Sequence, residues 1–538
     1  MIDRNRESEE SITEAGPHQH KPSLVINALS NWAALGVSLV VGLLLTPYII
    51  ACLGTAQYGI WMLIGSLIGY YGLLDLGVSS AIVRYVARYA GQREYRKLNE
   101  AVSTSLALFC LLGFIVVALS IFWAEPLARF FHITAENYIS FTRVIWLLGI
   151  TAGLMFPKNV LSAIIIAHER FVLANLIRIT SIILRGCFTF LVLYKGGGLV
   201  AIGWVNAGLS IFALLANMVV VNACFKHIDF SLKLVNKSVL LMLLSFGFFT
   251  TIRQVGGLLR TNMDAAVIGR YIDIEAIGVY SIAALLFGYL MRIVISVSGT
   301  TQPKLASIAG YKQKQLFMDS VLRYSVIVSN LSAGLGLVAF LLVGDFLKLW
   351  IPENFKDVYA AKVAFYILLV GLVPHLMTNV SVNALEAVNK HRYYAYQTIA
   401  EGVVNLMLSI LLVGPYGICG VAMGTTIPIL ITKCIVQPIY CCNIIGVKWS
   451  KYMLEILLKP ILLLAGLAIL FNKTGMLFAA NSYLRLVVNA ITILSAYALL
   501  SYIFCLDDRN RQIILAKWRN VLCGFGILKR KPNAHITS

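Results

Sequence analysis

Lys158, Arg178, Arg185, Arg253, Arg260, Arg292 and Lys433 stand in stretches otherwise dominated by apolar residues, and Asp264 and Glu401 share that setting. The stretch GYYGLLDLGVSSAIVRYVARYAGQ (69–92) adds Asp75, with Arg84 and Arg88 towards its far end. An ionised group at the centre of a bilayer costs on the order of 3 kcal/mol even on the lenient insertion scale. Such groups must face one another, water or a charged ligand. Arg178 and Arg185 are seven residues apart, which puts them on one helical face about 10 Å apart along the axis. Arg253 and Arg260 repeat that interval, and Asp264 lies four residues beyond Arg260, placed to pair with it. Cations outnumber anions in this set, so internal pairing cannot neutralise them all. The surplus of cations points to an anionic ligand.

Each charge also has a plain structural reading. Arg260 and Asp264 can form a simple intrahelical pair. Arg84, Arg88 and Arg292 can carry their heads out to the headgroup layer along apolar stems. Asp75 either pairs with a cation across a cavity or serves as a protonatable coupling group. Glu401 opens a span and could sit near the interface. Lys158 follows Pro157, and Lys433 lies between Pro428 and Pro438; proline in a membrane helix frees backbone groups and often marks a functional bend. The expectation is a cationic, substrate-binding cavity built from Arg84, Arg88, Lys158, Arg178, Arg185, Arg253, Arg260, Arg292 and Lys433. Asp75 and Asp264 are left for coupling or structural pairing.

The elements that must position these groups follow from composition. The chain has 538 residues, 59% of them hydrophobic and only 13% charged, with mean hydropathy +0.82. Soluble proteins carry about 25% charged residues. Lys and Arg number 44 against 24 Asp and Glu, a net charge of +20. The basic residues cluster between long apolar runs, as the positive-inside rule requires of a polytopic membrane protein, so the excess does not signal a nucleic-acid partner. A span needs about 20 apolar residues. About fourteen such runs begin near Leu24, Tyr58, Ala101, Ile139, Phe171, Leu199, Ser238, Ala276, Leu322, Tyr359, Ala395, Gly417, Leu454 and Tyr483. Alternate loops are basic (84–97, 226–237, 304–315, 390–392 and 448–451), and the carboxyl tail adds DDRNRQ and KRK. Both termini are therefore expected in the cytoplasm.

The first six runs echo in the second six. IACLGTAQYGIW (50–61) aligns with IGRYIDIEAIGVY (268–280), setting Gly59 opposite Gly278, and both second spans end in basic residues. The expected fold is all-α: two six-helix lobes related by a pseudo-two-fold along the membrane normal, plus two accessory helices. In residues this gives a disordered tail over 1–22, an N-lobe over 23–226, a C-lobe over 227–446, accessory spans over 447–506 and a basic tail over 507–538. The segment RNRQIILAKWRN (509–520) suits either the inner membrane surface or a solvated tail. The ten cysteines lie mostly within apolar runs and show no disulfide or zinc spacing, and His18 and His20 are too few for a metal. Neither a metal nor a cofactor is expected.

LLLTPYIIACLGTAQYGIWMLIGSLIGYYGLLDLGVSSAIVRYVARY (43–89) resembles the first two spans of polysaccharide-transporter flippases, the repeat-unit translocases of the multidrug/oligosaccharidyl-lipid/polysaccharide exporter superfamily. NVLSAIIIAHERFVLAN (159–175) and MDAAVIGRYIDIEAIGVYSIA (263–283) look like the same family's fourth-to-fifth and seventh-to-eighth junctions. The resemblance implies two lobes around a central cationic cavity, with the extra spans helping to form a groove for a lipid tail. It implies a substrate of undecaprenyl-diphosphate-linked oligosaccharide, an O-antigen or exopolysaccharide repeat unit, flipped across the bacterial inner membrane by alternating access. Membrane lipids and other polysaccharide-assembly proteins are the expected partners. Drug-exporting relatives have twelve spans and acidic cavities, so an ion-coupled drug or cation exporter is the alternative within transport. A membrane-embedded glycan polymerase or glycosyltransferase is the alternative outside it. No Asp-x-Asp metal motif, phosphate-binding glycine loop or nucleophile elbow is present to support an enzyme.

Overall fold

The computed structural model describes residues 24–507 apart from 312, 389, 391, 476 and 478–480, together with 511 and 512. Side chains at 24, 25, 28, 246–250, 252, 253, 261 and 392 are also outside the described set. The tail expected over 1–22 and nearly all of 507–538 therefore lie outside the described residues, as does the Arg253 side chain.

Among the described residues, eleven apolar helices are long enough to cross a membrane; two of them are double, and with Lys237–Tyr271 they make up the fourteen spans that run length implied. Leu24–Gly69 is two helices joined at Gly54, and Arg392–Ile431 is two joined at Gly417. These residues have φ of 78° and 57°, left-handed values that a Cβ would penalise, so each reverses the chain with almost no loop. Lys237–Tyr271, the seventh span, is interrupted by polar residues from Arg253 to Asp264, which keeps its hydropathy below that of the others. A bilayer leaves backbone N–H and C=O groups no solvent partner, so helices are the natural result of such runs.

The stretch 69–92 is not one continuous helix. A 3₁₀ turn covers Tyr70–Asp75, Leu76 and Gly77 take φ of 51° and 70°, and a helix restarts at Val78–Gly91. Asp75 is the cause. Its Oδ1 accepts from the Ser79 amide at 2.9 Å, and its Oδ2 accepts from Ser79 Oγ at 2.6 Å. The carboxylate thus serves an otherwise orphaned amide at a helix start.

The chain divides into two compact units. The first comprises residues 1–46, 74–125 and 142–250. Within it, small residues let Tyr95–Phe130 and Ala135–Ala167 approach closely: a Cβ on Gly113 would sit 2.5 Å from the Gly153 carbonyl oxygen. The 227–236 connector is tied to the third span. Asn99 Nδ2 donates to His227 O at 3.2 Å, and Thr104 Oγ1 accepts from the Asn236 amide at 3.0 Å.

The second unit comprises residues 47–73, 126–141 and 251–538. Its ninth span, Lys314–Trp350, carries a buried stripe of serine, glycine and alanine. Both accessory spans pack on that stripe. Ser329 Oγ donates to Ile456 O, Tyr497 OH donates to Asn330 Oδ1 at 3.3 Å, and Gly334 meets the Tyr497 ring. In the same unit the aligned glycines of the two halves face each other. A Cβ on Gly59 would lie 2.1 Å from Ile274 O and 3.2 Å from Gly278 N, and one on Gly278 would lie 2.6 Å from Thr55 O.

Candidate functional site

The first unit holds a cavity of about 610 Å³ bounded by the fourth, fifth and sixth spans and by Asn31 of the first. Lys158, Arg178 and Arg185 all line it. Phe171–Tyr194 presents Asn175, Arg178, Ser181 and Arg185 to this space at intervals of three or four residues, a single helical face. Lys158 comes from Ala135–Ala167, one residue after Pro157. Asn175 Nδ2 donates to Ser30 Oγ at 2.9 Å and to Asn31 Oδ1 at 2.7 Å, fixing the first span beside the fifth. The lining contains no Asp or Glu. Three cations share the wall with amides and hydroxyls, and no carboxylate on it offsets their charge. Like charges gathered in a partly dry space repel one another, so an anion entering the cavity gains both attraction and relief of that repulsion.

The second unit treats its charges differently. Glu401, 1% exposed, accepts from Arg260 Nη1 at 3.2 Å and lies 3.1 Å from Lys433 Nζ. Lys433 is fully buried. It also donates to Gln437 Oε1 at 2.9 Å and lies 4.9 Å from the Tyr394 ring centre. Gln437 in turn donates to Thr378 O at 3.1 Å and to Ser381 Oγ at 2.5 Å. The helix widens into a π turn over Thr432–Val436, between Pro428 and Pro438, and this turn carries Lys433 into the network.

One expected pairing is corrected here. Arg260 does not pair with Asp264 four residues on; it reaches Glu401, 141 residues away in sequence. Asp264 Oδ2 instead accepts from Tyr280 OH at 2.5 Å and Thr425 Oγ1 at 3.0 Å, while its Oδ1 is buried without a hydrogen-bond partner among the described residues. Arg260 and Lys433 thus share one carboxylate. Among the described residues Asp75 has no cation partner; its contacts are with Ser79. Glu401 is buried among protein side chains. Arg84, Arg88 and Arg292 are exposed on Val78–Gly91 and Ile274–Gly299, and the structure does not bring them to the 610 Å³ cavity. The Arg253 side chain lies outside the described residues. Sequence reasoning missed the polar companions: Asn31, Asn175, Ser181 and Asn217 at the cavity, and Tyr280, Asn405 and Thr425 around Asp264. The repeat of polar residues at helical spacing through Asn175, Arg178, Ser181 and Arg185 was the available signal.

The many-span helical fold and the carboxylate-free cationic cavity define a polytopic membrane transporter. The fold is similar to that of a solved lipid II flippase, MurJ, in an inward closed conformation, with a TM-score of 0.68 and 17% identity over 89% of this chain and 99% of that one. A family model described as "Polysaccharide biosynthesis protein" matches residues 24–309, more than half of the chain, and the chain belongs to that family. A protein of Shigella flexneri named "Putative O-antigen transporter" is 21% identical over 78% of this chain and 98% of its own length. The "Uncharacterized membrane protein EpsK" of Bacillus subtilis (strain 168) is 24% identical over 92% and 98%.

Proposed function

We propose that this protein flips an undecaprenyl-diphosphate-linked oligosaccharide, an O-antigen or exopolysaccharide repeat unit, across the bacterial inner membrane. The observation that carries the reading is the cavity where Lys158, Arg178 and Arg185 meet without a carboxylate. A diphosphate brings oxygens that guanidinium groups grip in pairs, and an ammonium adds a point charge beside them. The site performs transport rather than catalysis. Alternating access then needs only that the charged headgroup be held while one side closes and the other opens. Arg84 and Arg88, exposed on the basic face, draw the headgroup towards the entrance. Both termini stand on that cytoplasmic face. Asp264, with one oxygen unpartnered, is the group available for coupling. Other polysaccharide-assembly proteins supply the lipid-linked unit and take it up outside.

The test is surface glycan at matched expression in cells carrying Arg178→Gln together with Arg185→Gln. Each charged hydrogen-bonding group contributes about 1.5–3 kcal/mol, so headgroup binding falls roughly 100-fold or more and surface glycan drops. Undiminished glycan removes the assigned role. A cation exporter is disfavoured by the same three charges, and uptake of a labelled cationic drug into inverted vesicles would restore that rival.

A further inference from the structure

The second unit contains a separate cavity of about 550 Å³, bounded by the first-to-second, third-to-fourth and seventh-to-eighth connections. These odd-numbered connections are poor in Lys and Arg compared with the even ones, so the cavity opens on the outer face. Its volume is within the range of about 300–1,000 Å³ typical of small-molecule sites.

The lining chemistry differs from that of the cationic cavity. Glu136, Asp273 and Glu275 stand against Arg270, His132 and Asn137, over a floor that includes Ile60, Phe131 and Ile133. Glu275 is engaged by Lys356, and Asp273 Oδ1 accepts from the Ala276 amide at 2.6 Å. The carboxylate of Glu136 and the imidazole of His132 have no hydrogen-bond or ion-pair partner among the described residues. His132 is held at φ 51°, a strained value for a non-glycine residue. Arg270 lies over the Phe130 ring with its guanidinium carbon 5.3 Å from the centre, which fixes a donor at the rim. Gly269 leaves room for Phe131: a Cβ there would come within 3.3 Å of that ring.

Free carboxylates repel phosphate but accept hydrogen bonds from hydroxyls. Arginine, histidine and asparagine donate to ring and hydroxyl oxygens, and an apolar floor takes the C–H face of a sugar ring. We infer that this outer cavity is a saccharide subsite that holds part of the glycan headgroup as it emerges, an inference that rests on the flippase reading above. It binds sugar and not diphosphate. The two sites thus read different parts of one substrate, and the outer one gives the glycan a place to dwell before release.

The experiment is calorimetric titration of the purified full-length chain with the oligosaccharide released by mild acid from the source cells' polyprenyl-diphosphate lipids. Saturable binding is expected, with Kd raised roughly tenfold by Glu136→Gln and likewise by Arg270→Gln, and with no displacement by inorganic diphosphate. Both side chains are exposed, so the variants keep the native unfolding temperature. No binding by the native chain, unchanged Kd in both variants, or displacement by diphosphate each overturns the subsite. None of these outcomes restores surface glycan to the Arg178 and Arg185 variant, whose readout judges the flippase reading independently.

Discussion

Glu401→Gln removes one carboxylate that serves two buried cations. Arg260 and Lys433 lie 3.2 and 3.1 Å from its oxygens, and the Lys433 and Glu401 side chains are 1% and 0% exposed. Breaking one buried pair by deleting a partner costs about 3–5 kcal/mol, because the surviving charge is stranded. Here two are stranded at once, though Gln437 and the Tyr394 ring still hold Lys433. A loss of about 4 kcal/mol is a factor of roughly 1,000 in the folding equilibrium. The assay is the unfolding midpoint of the detergent-solubilised protein, followed by fluorescence-detected size exclusion. Glu401→Gln should lower the midpoint sharply. Adding Lys433→Met should recover part of the loss, since one stranded charge is then gone. A midpoint within 1 °C of native for Glu401→Gln would refute the claim that this carboxylate neutralises the pair.

Asp75→Asn keeps an acceptor for the Ser79 amide and should preserve folding and surface glycan, while Asp75→Ala should cost about 0.5–2 kcal/mol; loss of glycan export in well-folded Asp75→Asn would instead make Asp75 a coupling group. Gly278→Ala drives a methyl group to 2.6 Å from Thr55 O and should cost about 1–3 kcal/mol. Gly36→Ala, with open space around it, should be neutral or stabilising in the same unfolding measurement. His168 follows the fourth span, and burial depresses its pKa below the usual 6.5. Its Nδ1 lies 2.8 Å from Ile164 O, its Nε2 is buried without a partner, and its ring is 4.2 Å from Phe225. Its contribution to stability is thus present above pH 6.5 and lost as pH falls through the lower folded-state value. His168→Gln should flatten the dependence of the unfolding midpoint between pH 7.5 and about pH 5, and an unchanged slope would show that His168 is not responsible.

The spans were legible because bilayer thickness sets the length of an apolar run, and all fourteen starts fall on described helices or on their first turns. Helical spacing also placed Arg178 and Arg185 on one face. Partner choice was not legible in the same way. The four-residue rule made Asp264 the natural mate of Arg260, but on packed helices a neighbour from another span competes with the neighbour in sequence. Glu401 won that competition. The Ser79 contact of Asp75 escaped notice for the opposite reason: the signal was local. In DLGVS, a carboxylate four residues before a serine, across Leu76-Gly77, marks a helix restart, while the surrounding hydrophobicity suggests an unbroken span. The oligosaccharide itself has no comparable sequence signature, since hydroxyl-binding residues are scattered over three short connections.

Gly59 and Gly278 stand at aligned places in two short turns, and each leaves no room for a side chain on the other. A methyl group on either glycine would meet backbone of the other's turn, so the two positions restrain each other. Neither turn can accept a methyl group unless the other yields, so close packing makes a joint restraint of two positions 219 residues apart.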